Sequence, residues 1–537
     1  MTVRVRCCRL HEQPRIVSPP ALPLLIADHR VVAGDVLTAV GLLRWGLDLQ
    51  RSEIQVLLAG RGIALSTGEI SALSTEFLLR FFLLHHRRAD RIRAHLQTLP
   101  GTVWLVDGTQ DEGSEVVFVV QEGFSRIVLD ADLLPNEGRT AVALVLQRNR
   151  SEFGVPDALL RDFSPEIREA ARRVLPGVPQ IGCHVHFGRN LGEHLFETTY
   201  GALRQAVLQT KVLTRLLDLR RRLLERTGES LLVRAFDHWA RLAVEYLDEP
   251  RRHLSRYPMT LPYHACVARA FEVEDWCRRV VRALAARNTT VPSVGELEAL
   301  LRGRLHGEAV IVPFSRLTRA QAWFEEIRAV LRLSRNRLGD PPPAPRPVGE
   351  VAEELSRTLE RIREESRRMG GPYAALGELL WEYTAEHVGE LLAPVVGRDG
   401  RELLVDRVTN LVESRHRWNR QKARRRTGRG RTSREMVLHG PLLAVFSNLF
   451  NRAYVEAVLG DVRSLPVELM AIPAEEVEAL RERLATGRKP KGLPVRDEER
   501  AGRLLELVEV LEGGGDAEDG LMVGWLQGVT SQDLTEV

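Results

Sequence analysis

Between Gly101 and Phe187 the apolar residues stop recurring at helical spacing and fall into short runs separated by turn residues. No other feature of the chain restricts its fold as much. Val103–Val106, Glu115–Val120 and Ile127–Leu133 read as three strands in direct succession, divided by turns at Asp111-Glu112-Gly113 and Glu122-Gly123. Thr140–Leu146 has helical spacing, Ala158–Arg161 is a fourth strand, and Gln180–Phe187 a fifth. Between the last two, Glu166–Leu175 is a helix whose start is marked by Ser164-Pro165. Three strands, helix, strand, helix, strand specify a mixed α/β sheet.

Two aspartates end strands of this sheet. Asp107 closes Val103-Trp104-Leu105-Val106 and precedes Gly108, and Asp162 follows Ala158-Leu159-Leu160-Arg161, so each sits where a buried strand emerges. A third acid, Glu413, belongs to the amphipathic stretch Val408–Glu413, which runs into a very basic segment and reads as a helix. Hard carboxylate oxygens suit Mg²⁺ or Mn²⁺, and two such ions roughly 3.5–4 Å apart suit phosphoryl chemistry. Asp111, Glu112, Asp130 and Asp132 are the nearest rivals: the first pair falls in a turn, and the second shares a strand face expected to be exposed.

The flanking sequence is helical. Asp35–Trp45, Ser52–Ala59 and a third helix opened by the capping box Ser66-Thr67-Gly68-Glu69 have the form of a helix-turn-helix unit, with Gly60-Arg61-Gly62 as its turn. A three-helix bundle without DNA contact fits the same spacing. From about residue 190 to 400 the pattern is again helical, over 203–224, 229–247, 267–285, 317–333 and 350–369, with Asp340–Pro347 as a stiff connector. The segment after Glu413 carries Arg415, Arg417, Arg420, Lys422, Arg424, Arg425, Arg426 and Arg429, a density of cations for which phosphate is a natural neutraliser. Leu442–Asn451 returns to an apolar helix, and the end of the chain reads as linker, short helix and acidic tail.

A net charge of +4 over 537 residues is small, so affinity for nucleic acid must come from local clustering of this kind. Five irregularly placed cysteines argue against a secreted disulfide framework and for a reducing compartment. Cys7, Cys8 and His11 have only half of a zinc site's spacing, which favours ordinary thiols over a metal knuckle. No apolar run reaches the roughly 18 residues of a membrane helix.

The order of strands and acids resembles the ribonuclease H-like catalytic domain of DDE transposases. Gly182-Cys183-His184-Val185-His186-Phe187, with its Cys-x-x-His between the second Asp and the Glu, looks like the Mutator-like group of bacterial insertion-sequence transposases. Asn410 three residues before Glu413, followed by Arg, Lys and Arg424-Arg425-Arg426-Thr427-Gly428, is similar to that group's third motif. Phe163 after Asp162 departs from it, since Gly is common there in relatives.

The resemblance implies α/β plus all-α architecture: a ribonuclease H-like mixed sheet interrupted by a large helical insertion, with an N-terminal helix-turn-helix. The corresponding segments are an irregular 1–34, helix-turn-helix 35–98, first catalytic part 99–190, insertion 191–400, Glu-bearing helix and basic segment 401–465, and a C-terminal region 466–537. It implies catalytic and metal-binding roles for Asp107, Asp162 and Glu413 with two Mg²⁺ or Mn²⁺ ions, and a structural or accessory role for Cys183 and His186. The expected partners are double-stranded DNA, at element ends and target, and further copies of the chain, with no membrane. The location expected is a nucleoid-associated, cytoplasmic one. A domesticated, catalytically silent DNA-binding protein and a ribonuclease H-like nuclease without strand transfer are the alternatives.

Overall fold

The computed structural model describes residues 32–110, 114–225, 230–247, 257–333, 345–430 and 432–486, together with Cys7–Cys8 and Arg15–Ile16, which pair antiparallel. His11, most of the connector 340–347, the Asp111-Glu112-Gly113 turn and the tail from 487 lie outside the described residues. The protein is mostly helical around one five-stranded mixed sheet.

The sheet comprises β1 (Val103–Thr109), β2 (Val116–Glu122), β3 (Val128–Leu134), β4 (Ala158–Arg161) and β5 (Gln180–Gly182) in the order β3-β2-β1-β4-β5. β1, β2 and β3 form an antiparallel meander, while β4 pairs parallel to β1, with Val103, Trp104 and Leu105 opposite Ala158, Leu159 and Leu160. β1 runs two residues past Asp107, to Thr109, because those residues still pair with β2, so Asp107 lies within its strand and not at its end; the parallel register brings Asp162, just after β4, alongside it. β2 and β3 are buried along their whole length, which explains their near-continuous Val, Leu and Phe rather than an alternating pattern.

Four helices precede the sheet: α1 (Gly34–Gly41, continued by a π-turn to Gly46), α2 (Arg51–Ala59), α3 (Thr67–Arg87) and α4 (Ala89–Gln97). The capping box at α3 forms as expected, Ser66 accepting from the Glu69 amide and Glu69 from the Ser66 amide. Beyond Ser74 α3 is a core helix: Phe77 and Phe81 meet Phe446 edge-on, Arg80 donates to the carbonyls of Leu469 (2.8 Å) and Ile472 (2.7 Å), and His85 Nε2 lies 2.8 Å from the Leu129 carbonyl. These helices therefore share one apolar core with the sheet and with the C-terminal helices.

Between β3 and β4 lies α5 (Arg139–Phe153), and between β4 and β5 lies α6 (Pro165–Val174), its start capped by Ser164. The fifth strand is shorter than the sequence suggests. It stops at Gly182, where a Cβ would collide with the Phe163 ring, and Cys183 is the N-cap of α7 (His184–Gln209). His184 and His186 thus stand on the first turn of a helix and not in the strand expected over 180–187.

α7 opens a run of helices with its own core, through α8 (Val212–Glu225), α9 (Leu231–Leu247), α10 (Pro262–Ala285), α11 (Pro292–Leu305), α12 (Glu308–Val330), α13 (Val348–Met369) and α14 (Gly371–Leu391). The helix expected over 203–224 is broken near Lys211, which has a positive φ of 55°. α12 starts nine residues earlier than expected and accommodates Pro313. The chain then returns to the sheet in α15 (Asn410–Thr427) and α16 (Ser433–Phe446). α16 packs across β2, β3 and α3; after it Asn448 exchanges two hydrogen bonds with Val128, 2.9 and 2.8 Å, satisfying the edge of β3. α17 (Leu465–Met470) and α18 (Ala474–Thr486) close the described chain against α3. Among the described residues no single helix is long and apolar enough to cross a membrane.

A second expectation fails at β3. Asp130 and Asp132 are buried, not exposed, because Arg148 from α5 reaches both, at 2.5 and 2.9 Å, and Asn149 donates to Asp130 at 3.0 Å. His86 adds contacts to Asp130 (3.5 Å) and Glu152 (2.5 Å). A charge on a sheet face is buried only when paired, and its partners here come from two other helices.

Candidate acidic site and its basic helix

Asp107 sits on β1 with 7 % of its surface exposed, and its carboxyl is pushed up to about 8. Burial is the largest cause; the neighbouring carboxylates of Glu413, Asp162 and Glu137 push the same way, and His186 opposes them. Five chain segments thus deliver four carboxylates and one imidazole to a common place. Asp162 arrives because β4 runs parallel beside β1; its Oδ1 also accepts from the Ser164 amide at 2.9 Å, which fixes the turn into α6.

Glu413 arrives on the first turn of α15, which lies along β1. The connector before it is clamped to the start of α7. The His184 amide donates to the Arg407 carbonyl at 2.9 Å, the Thr409 amide donates to Cys183 Sγ at 3.3 Å, and the Glu413 amide donates to the Thr409 carbonyl at 3.0 Å. Cys183 is accordingly a positioning residue for the Glu413 turn. His184 serves the same junction: its ring nitrogens face the carbonyls of Leu391 (3.0 Å) and Leu331 (3.4 Å). His186 differs. Burial disfavours its charge, but a hydrogen bond with Cys183 and the fields of Cys183, Asp107 and Asp162 outweigh that and push it up to about 9.

Sequence reasoning missed Glu137. It lies in the turn Pro135–Gly138 before α5, and its carboxylate occupies the space a Cβ on Gly108 would fill. The only sequence signal was Gly108 itself, directly after Asp107. His416 was also missed: one turn beyond Glu413, buried to 3 % exposure, it is held neutral by burial and by Arg420 and Arg415, beside the backbone of Asp107.

The donor set fits a hard divalent cation. Carboxylate oxygens are the ligands Mg²⁺ and Mn²⁺ prefer, and such an ion would offset both the burial of Asp107 and the repulsion from its neighbouring carboxylates, which together push its carboxyl up. Among the described residues no group of three or more His, Cys, Asp or Glu side chains stands close enough together to hold a metal ion.

The eight basic residues after Glu413 divide into two sets. Arg415 donates to the Ser447 hydroxyl, Lys422 to the Gly46 carbonyl (3.0 Å) and Asp48 (3.2 Å), and Arg426 to Asp48 (3.0 Å) beneath the Trp45 ring. Those three dock α15 onto the rest of the fold. Arg420 bridges to the Thr109 hydroxyl at 2.8 Å, at the end of β1. Arg417, Arg424, Arg425 and Arg429 are exposed. At about 100° per residue, Glu413, Arg417, Arg420 and Arg424 occupy one face of α15, so an exposed cationic stripe leads away from the acidic site.

Asp48 is the counter-charge for two buried or half-buried cations, and its own side chain is 4 % exposed. Asp48→Asn, which still tolerates the positive φ of 59°, is expected to cost about 3 kcal/mol in chemical denaturation because it takes this carboxylate from Lys422 and leaves the buried Arg426 with Glu435, at 3.9 Å. A change below about 0.5 kcal/mol, typical of surface sites, would remove Asp48 as the docking anchor.

No protein-family model matches the chain, and no curated protein matches it.

Proposed function

We propose that the protein is a DDE-type transposase of the Mutator-like group that binds DNA ends and performs metal-dependent strand cleavage and strand transfer. The convergence of Asp107, Asp162 and Glu413 from two neighbouring parallel strands and a basic helix carries this reading. The strand order supports it as well, since a ribonuclease H-like sheet requires its first and fourth strands to be adjacent and parallel.

Asp107, Asp162 and Glu413 would hold two Mg²⁺ or Mn²⁺ ions, with Asp107 central. When bound, the pair activates a water or a 3′-hydroxyl and stabilises the leaving oxygen. The protein's own contribution is positioning. β1 and β4 fix two carboxylates on rigid backbone, and Cys183 and Thr409 fix the turn that presents the third. His186 stands beside Asp107 and Asp162, where its ring, when protonated, would draw a phosphate. DNA contact is assigned to the exposed stripe of α15; in the third helix of the N-terminal unit the residues from Phe77 onward are largely buried in the core, which leaves its first turns, from Thr67, as the part that could meet a groove.

An assay with Mg²⁺ and DNA carrying the adjoining element ends tests the reading. Joined products are expected from the wild type and none from Asp162→Asn or Glu413→Gln. Cleavage without joining would make the protein a nuclease, and binding alone would make it a silent DNA-binding protein. Full activity in either variant would sink the assignment of the acids. For the stripe, Arg417→Ala with Arg424→Ala is expected to leave stability unchanged and to lower the slope of log affinity against log salt by about 0.9 for each phosphate no longer neutralised. An unchanged slope would place the DNA elsewhere.

A further inference from the structure

Beside the cationic stripe, Trp418 and Phe450 form an edge-to-face pair, 5.7 Å between centroids at 67°. Phe450 is 58 % exposed. Its geometry is built rather than accidental. Phe450 also packs edge-on against the buried Phe446 at 5.7 Å, and Arg415 anchors the Ser447–Phe450 turn through Ser447. Lys422, held by Gly46 and Asp48, lies 4.3 Å above the Trp418 ring and 5.3 Å from that of Phe450.

The place of this pair on the helix indicates what it serves. Going round α15 at about 100° per residue, Glu413, Arg424, Arg417, Gln421, Arg425 and Trp418 follow one another. The acidic site borders one edge of the exposed cationic sector and the aromatic pair borders the other. The width between them is on the order of 10 Å, a helix diameter, or about three nucleotides at 3.4 Å each. A strand with its phosphate at the acids and its backbone over the arginines would bring a base to the aromatic edge. Paired bases present no free π-face there, whereas an unpaired base does.

Building on the DNA reading above, we infer that Trp418 and Phe450, braced by Lys422, are a stacking platform for an unpaired base of the strand that reaches the acidic site. The platform binds by stacking and is tolerant of base identity.

The test compares a blunt DNA duplex with the same duplex bearing a short unpaired 3′ extension that contains 2-aminopurine, both without divalent metal. The wild type is expected to bind the extended duplex about ten-fold more tightly and to quench its 2-aminopurine fluorescence. Phe450→Ala is expected to lose that preference and the quenching while binding the blunt duplex like the wild type, and Phe450→Tyr to keep both. Equal binding of the two duplexes by the wild type, or a preference untouched in Phe450→Ala, would overturn the platform and leave the DNA reading standing. Failure of the wild type to bind either duplex would overturn both. Loss of blunt-duplex binding in Phe450→Ala would make Phe450 a general structural residue and also defeat the proposal.

Discussion

Asp107→Asn is expected to make the metal-free protein more stable at pH 8 and to abolish strand cleavage and joining. The carboxyl is pushed from 3.8 up to about 8 in the folded state. Between those values the unfolded chain has released a proton that the native state retains, so raising the pH through this window lowers stability. The asparagine has no proton to lose. Its advantage is absent near pH 4 and grows to several kcal/mol, in order of magnitude, by pH 8. Mg²⁺ or Mn²⁺ should raise the melting temperature of the wild type most at the alkaline end and leave that of Asp107→Asn nearly unchanged. Activity should fall by about a thousand-fold or more, the scale of losing a ligand that organises several kcal/mol of transition-state stabilisation. Thermal melts across pH, with and without metal, read the first effect. A variant less stable than the wild type at pH 8 would mean that Asp107 is a structural carboxylate.

The opposite sign is expected two strands away. Asp130 is equally buried, but Arg148, Asn149 and His86 surround it, and despite the cost of burial Arg148 and His86 hold its carboxyl well below the usual range. Asp130→Ala leaves Arg148 with only Asp132 and should cost about 3–5 kcal/mol, read by urea denaturation at pH 7. This group's contribution is present above its unfolded value of 3.8 and disappears as pH falls through its lower folded value. The deficit of the variant should therefore shrink in acid. A deficit that persists undiminished well below pH 3 would assign it to poorer packing instead of broken charge pairing. Two aspartates on neighbouring parts of one sheet thus separate a carboxylate paired with an arginine from one buried among other carboxylates.

Much of the fold is legible in local pattern. The runs at Val103, Val116 and Val128, the capping box at Ser66 and the Ser164-Pro165 start all act through near neighbours, and each forms the element its spacing indicates. The strand at Gln180 is shorter than its pattern indicates because Cys183 and His184 are turned into a helix by bonds to Arg161 and Arg407, the second of which is over two hundred residues away. The arginine run is legible as a run, but its division is not: Arg426 and Lys422 are taken by Asp48, and only the tertiary contact reveals which cations remain exposed.

Hydrophobic period and strand ends are local properties, so the amino-acid order alone was enough to establish the succession of strands and helices and the candidacy of Asp107, Asp162 and Glu413. It took the packed fold to crowd Asp107 with like charges while matching Asp130 with an arginine, to bring Glu137 and His186 beside Asp107, and to brace the Glu413 turn on Cys183. Burial and Coulomb interaction act between residues adjacent in space, and that adjacency comes from the pairing of β1 with β4 and the packing of α15 along β1.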